Sequence, residues 1–203
     1  MSWFRAKSDT ATDAPTLPTQ QALPAIPGYQ AGTWVIDAAH SEVSFTVRHM
    51  AVSKVRGRFG EVSGEIVTSE DPRESSVTAT IAMASVTTFN EARDAHLRNA
   101  DFFEVEAHPT MTYRSRTLRF DGEDFALDGE LTLKGVTRPV SLRLEVSGFG
   151  PDAYGGTRAG FSATGQINRR DFGVDFDARL ETGGLVVSDK VDLQLDIEAV
   201  LQA

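Results

Sequence analysis

The chain contains no cysteine. Disulfides, thiolate zinc sites and thiol nucleophiles are therefore excluded, although this says nothing of the compartment. Basic clusters are missing as well. Lys and Arg number 20 against 29 Asp and Glu, the formal net charge is -9, and no stretch of sequence gathers the cations. A nucleic-acid partner lacks its electrostatic footprint, and docking on anionic lipid by charge alone is disfavoured. No apolar run approaches the roughly 20 residues of a membrane-spanning helix. The first residues lack the 7 to 15 or so consecutive apolar positions of a secretion signal, so the expected location is cytoplasmic. No HxH, HExxH or GxSxG pattern occurs, which leaves metal and nucleophile readings without their usual spacing.

What is present is alternation. From Phe125 to Leu133 every second residue (Phe125, Leu127, Gly129, Leu131, Leu133) is apolar or small, and beyond Gly135 the pattern resumes on Val140, Leu142, Leu144 and Val146. Such spacing predicts two half-buried strands joined as an antiparallel hairpin. A hairpin cannot bury its own oily face, so further strands must cover it or curl it closed.

The remainder supplies them. Residues 1–28, with prolines at 15, 18, 24 and 27, predict a disordered tether, and residues 29–203 one domain. Thr33 to Asp37 is a first strand. Glu42 to His49 is a second, with Val43, Phe45, Val47 and His49 on one side. Val52 to Thr68 continues the pattern with bends at Gly57, Gly60 and Gly64. Val77, Ala79, Ile81 and Met83 form the inward row of the next. Asn90 to Asn99 predicts a short helix with Asn90 as N-cap and an Asp94–Arg98 pair on its wet side. The adjacent aromatics Phe102 and Phe103 cannot share a strand face, so they are expected to plug an opening beside the helix. Strands resume at Met111 and Tyr113, and later run from Ala159 to Ile167 and from Val191 to Leu201. About eight long strands with one helical insertion predict an all-β fold. An extended antiparallel barrel is favoured over a sandwich, because glycines punctuate the strands.

With these elements in place, the chain resembles the YceI-like family, which is similar in fold to lipocalins. The resemblance spans about Thr33 to Ala203 and rests on ordered motifs: DxxHS (Asp37, His40, Ser41), FxVxHM (Phe45, Val47, His49, Met50) and VxGxF (Val55, Gly57, Phe59). RDxHLRxxDFF runs from Arg93 to Phe103, His108-Pro109 precedes Tyr113, GxLTLKGVTRPV covers Gly129 to Val140, and a looser RxDFGV covers Arg169 to Val174. It implies an elongated apolar interior that holds a polyisoprenoid lipid, an isoprenoid quinone or prenyl chain, without converting it and without a cofactor.

The expected lining is Phe45, Phe59, Ile81, Met83, Met111, Tyr113, Leu131, Leu142, Phe161 and Leu193, with Leu97, Phe102 and Phe103 closing one end. The same rows also describe an ordinary packed core. Small residues within them (Ala79, Gly129, Ala159, Ala163, Gly165) are what would leave space. A lipid-active or hydrolytic enzyme using His40, His49 or His96 is the alternative of another class, and a ligand-free stress-related scaffold is a third. His40, His49, His96 and His108 are expected in capping and loop-tethering roles, and Arg170 with Asp171 as a structural loop pair, favoured over Arg169 and Arg170 holding a headgroup. An exposed barrel edge or the mouth beside the insertion leaves a homodimer open.

Overall fold

The computed structural model describes residues 23–50, 52–120, 122, 124–153, 155–177 and 186–202. Most of the expected tether, residues 1–22, lies outside them. Eleven strands join one antiparallel sheet: β1 (Gly32–Ile36), β2 (Glu42–His49), β3 (Ser53–Phe59), β4 (Val62–Thr68), β5 (Ser76–Ala82), β6 (Val86–Thr87), β7 (Thr110–Phe120), β8 (Phe125–Leu133), β9 (Val136–Pro151), β10 (Thr157–Asn168) and β11 (Val187–Leu201).

Six of these are halves of broken strands. β1 and β2 both pair with β11, Ile36 opposite Ala199 and Glu42 opposite Asp196. β3 and β4 pair with β2 and β1, and β6 and β5 pair in turn with β3 and β4. Counted this way the fold is an eight-stranded barrel, closed where β1 meets β11.

The breaks fall at one level and are stitched by side chains. At the first, Asp37 accepts from the Ala39 amide (3.0 Å) and starts a 3-10 turn, Ala38–His40. Ser41 Oγ then accepts from the Glu198 amide (3.0 Å) and donates to the Glu198 carbonyl (3.2 Å), replacing the ladder bonds that the turn interrupts. At the others, Ser85 Oγ receives the Glu61 amide (3.1 Å) and the Ser85 carbonyl the Gly60 amide (3.3 Å). Met83 keeps the inward row but sits in the 3-10 turn Met83–Ser85 rather than in a strand.

The hairpin of β8 and β9 forms as its alternation predicts, Phe125 opposite Leu144 through Leu133 opposite Val136. Its two turn residues, Lys134 and Gly135, both have positive φ (50° and 72°), the primed geometry that matches strand twist.

The small inward residues do not all leave space. A Cβ on Gly129 would lie 2.6 Å from Tyr113 Oη, and one on Gly165 2.6 Å from a Leu142 methyl. The neighbours have already filled those gaps. Ala159 lies buried with Trp34 and Ala199; only Ala79 and Ala163 of the five border open volume.

Of the expected tether, Ile26 borders a barrel cavity and Gly28 lies against β9. Gly28 sits against Phe149, where a Cβ would come within 2.7 Å of the carbonyl oxygen. Tyr29 meets the Phe149 ring edge-on (5.3 Å between centroids) and donates to the Ser69 carbonyl (2.7 Å). Trp34, fully buried, also meets Phe149 edge-on (5.3 Å) and donates to Thr68 Oγ1 (2.8 Å). Ile26, Tyr29 and Phe149 border apolar volume there, and burying that surface offsets part of the ordering cost of a proline-rich segment.

Candidate functional site

Two cavities lie along the barrel axis. The one beneath the helix measures about 230 Å³ and is lined by Phe45, Val47, His49, Val55 and Phe59 from β2 and β3, by Leu133, Ile167, Val187, Val191 and Leu193 from the neighbouring strands, and by Leu97, Phe102, Phe103 and Phe176 from above. The other, about 130 Å³, lies towards Trp34 and is bordered by Ile26, Tyr29, Ile81, Tyr113, Leu142, Phe149 and Phe161 among others. Their walls are almost wholly hydrocarbon.

Between them is a waist. On β8, Leu133 faces the first cavity and Leu127 the second, and buried Leu131 stands between; on the β5–β6 strand Met83 stands between Ile81 and Thr88 in the same way. Met83, Met111 and Leu131, expected among the lining, therefore border neither cavity and belong to the packed division. The other ten expected residues face one cavity or the other. Sequence reasoning missed Phe176, Val174, Ile26, Tyr29 and Phe149, because they lie in segments without strand rhythm or near a strand's end.

Tyr113 ties the second cavity's wall together. Its hydroxyl donates to the Leu127 carbonyl (2.9 Å) and approaches that of Val140 (3.3 Å). Burial, then the nearby Asp128 carboxylate, pushes the phenol well above its ordinary pKa, so it stays a neutral donor.

The cover of the first cavity is held by polar bonds. β6 pairs with β3 on one side only, and no β6–β7 pairing occurs among the described residues, so an edge of backbone is left open. The helix α1 (Glu91–Arg98) supplies the missing partners. Asn90 caps it by accepting from the Arg93 amide (3.0 Å). Asp94 accepts from the Thr88 amide (2.8 Å), the Thr88 hydroxyl (2.5 Å) and the Thr87 hydroxyl (3.0 Å). Arg93 donates to the Thr88 hydroxyl and carbonyl (2.6 and 2.9 Å), and Arg98 to the carbonyls of Ala84 and Val86 (2.9 and 2.8 Å). The expected Asp94–Arg98 pair on a wet face is thus wrong. Asp94 is buried, and both side chains turn to the sheet edge because that edge offers unpaired donors and acceptors. Burial works against the Asp94 charge, but the bonds from Thr88 and Thr87 outweigh it and hold the carboxyl below its ordinary value.

Beyond the helix, His96 bonds Asp101 (2.8 Å) and lies edge-on to Phe102 and Phe176 (5.0 and 5.1 Å), whose own rings meet tilted at 4.8 Å. Phe103 reaches Phe59 at 6.2 Å. Lys134 at the hairpin tip donates to the Ala100 carbonyl (3.2 Å).

The other histidines are dispersed. His49 faces the first cavity; His108 packs beneath Gly135, within 2.9 Å of where a Cβ would be. His40 bonds Asp37 (2.8 Å) on the outer wall, where Glu198 completes a group of three donors within 4.8 Å. Arg158 already supplies the cation there. It bridges Asp37 (2.7 Å), Asp152 (3.3 Å) and Glu198. That guanidinium first, and His40 second, hold the Asp37 carboxyl at about 2. Ser41 is committed to Glu198, not to His40. Arg169 spends its guanidinium on the carbonyls of Val174, Ser188 and Val187 and on Asp189, while Arg170 pairs with Asp189 and Asp177 rather than with the expected Asp171. These are bonds that close a loop rather than free donors.

The YceI-like domain model matches residues 34–199. The chain belongs to the YceI-like family. Protein YceI of Escherichia coli is 37% identical over 167 residues, covering 82% of this chain and 84% of that one. The crystal structure of Burkholderia cenocepacia BcnA superposes with TM-score 0.70 at 22% identity, covering 80% of this chain and 98% of that one. A polyisoprenoid binding domain from Saccharophagus degradans, implicated in plant cell wall breakdown, gives TM-score 0.62 at 19% identity over 85% of this chain and 100% of that one. Within the family fold, the DxxHS motif is here the stitched break between β1 and β2, and RDxHLRxxDFF is the cover with its anchors.

Proposed function

We propose that this YceI-like protein binds a long apolar isoprenoid lipid, an isoprenoid quinone or polyprenyl chain, inside the barrel and stores or carries it without chemical conversion. The observation that carries this reading is the pair of hydrocarbon-walled cavities in line on the barrel axis. β11 alone runs 15 residues, about 50 Å of strand at roughly 3.3 Å per residue, so the tube suits a linear ligand better than a compact one. The polar groups at the first cavity are mostly engaged. Thr88, Arg93 and Arg169 bond to the protein itself, which leaves hydrophobic contact as the main source of affinity, at about 0.8 kcal/mol per buried methylene before ordering costs. The polyisoprenoid binding domain that shares the fold supports the same ligand class.

Each cavity alone is smaller than the roughly 300 Å³ at which ligand pockets usually begin. A long chain must therefore displace the waist, where two of three side chains are methionines, the most adaptable of apolar residues. Organic extraction of natively purified protein followed by mass spectrometry tests the proposal, together with uptake of a long isoprenoid quinone by the delipidated protein. Recovery of a prenyl lipid and stoichiometric uptake are expected; the absence of both would refute it.

A further inference from the structure

The acidic net charge conceals a local exception, which corrects the reading that no stretch gathers the cations: residues 48–58 hold four Lys and Arg and no acid. On β3, Lys54, Arg56 and Arg58 occupy every second position of the outer face, and Arg48 of β2 stands directly opposite Lys54. Arg58 pairs with Glu42 (3.0 Å), but Arg48, Lys54 and Arg56 make no ion pair among the described residues. Like charges placed opposite one another weaken a strand pair. At one end of this row the hairpin tip presents Val52, 83% exposed; at the other, Phe89 is 76% exposed with the Arg58 guanidinium 5.3 Å from its ring. Met50 and Phe89 both adopt positive φ (52° and 60°), a backbone region that side-chain-bearing residues seldom enter.

We propose that this face docks the protein on an anionic lipid bilayer. Cations flanked at both ends by exposed apolar side chains match a surface that offers phosphate at its plane and hydrocarbon just beneath. Charge contacts alone would leave Val52 and Phe89 without a counterpart. The row covers roughly 13 Å of strand, and its reverse side is the cavity wall formed by Phe45, Val47 and Val55. Phe89 immediately precedes Asn90, the N-cap of α1. A bilayer lying on this face therefore touches the root of the cover and the open edge of β6 that α1 seals. The binding of lipid inside the barrel gives such docking a purpose, but the docking is measured separately from it.

Sedimentation of the full chain with vesicles of neutral phosphatidylcholine, alone or with about one third phosphatidylglycerol, tests the inference. The protein is expected to pellet with the anionic vesicles at low salt and to be released as salt rises. The double variant K54E/R56E should weaken partition by more than about tenfold, and Val52→Asp with Phe89→Asp should weaken it while leaving a salt-dependent remainder. Both variants should still take up isoprenoid quinone from detergent, so loss of uptake with vesicle binding intact would refute the proposed function and not this surface. Equal binding to neutral vesicles, no binding at all, or indifference to K54E/R56E would overturn the inference. So would a dimer in sedimentation velocity that K54E/R56E dissolves without any vesicle binding, since the face would then serve a second copy of the chain.

Discussion

Asp37 shows how a surface carboxylate becomes structural. It starts the turn that breaks the first strand, and it accepts from Arg158, which ties β10 to the start of the fold. Its pKa, about 2 in the folded protein, lies below the unfolded value near 3.9. A depressed carboxyl contributes stability fully above the unfolded pKa and loses it as pH falls towards the folded one. Urea denaturation midpoints of wild type and Asp37→Asn should therefore differ most at pH 5 and above, and converge between about pH 4 and pH 2. At this scale the sequence was partly legible. Asp37, His40 and Ser41 stand out as a motif, yet nothing in their spacing names Glu198 or Arg158, because those contacts depend on barrel closure. Gly129 was misread for a related reason: an inward glycine signals either a gap or a close neighbour, and only the cross-strand register, Leu131 opposite Tyr113, decides for the neighbour.

At the scale of elements, alternation revealed the strands because every strand has one oily face and one wet face. β2 runs from Glu42 to His49 as its pattern implies. The breaks were less visible. Met83 keeps period two through a 3-10 turn, so the row continues where the strand does not. The helix was found from its cap, but its orientation was misjudged. Helical spacing predicts a dry apolar face, whereas α1 seals a sheet edge and its buried side is polar. Asp94→Ala should then remove the bonds to Thr87 and Thr88 and leave a buried amide unpaired, at about 2 kcal/mol of unfolding free energy. Amide exchange at Thr88 and along residues 91–105 should accelerate more than in the hairpin of β8 and β9. An equal acceleration throughout would show that the cover is not a separable unit.

For the whole molecule, the closed eight-stranded barrel followed from counting amphipathic strands, since a closed sheet is one of the few ways to hide so many oily faces. The waist did not. Period two places Leu131 and Leu133 on the same side, and only the packing of Met83 and Met111 separates them along the axis. Replacing Leu131 with Trp should fill that division permanently. Uptake of long isoprenoid quinones is expected to fall at least tenfold while short-chain analogues still enter the first cavity, with an overpacking cost of about 1–3 kcal/mol in stability. Fluorescence titration against a chain-length series measures both limbs; parallel losses for short and long chains would mean that the two cavities are not used in sequence.

The two ends of the barrel are built by different means. Near Trp34, interlocked aromatic rings and the seated segment around Ile26 and Tyr29 form a base, whereas the opposite end carries a polar-hinged stopper with aromatic teeth. Under the proposed function, a prenyl lipid that enters beneath the cover goes in tail first and leaves head first, so its polar terminus is the part that a recipient meets.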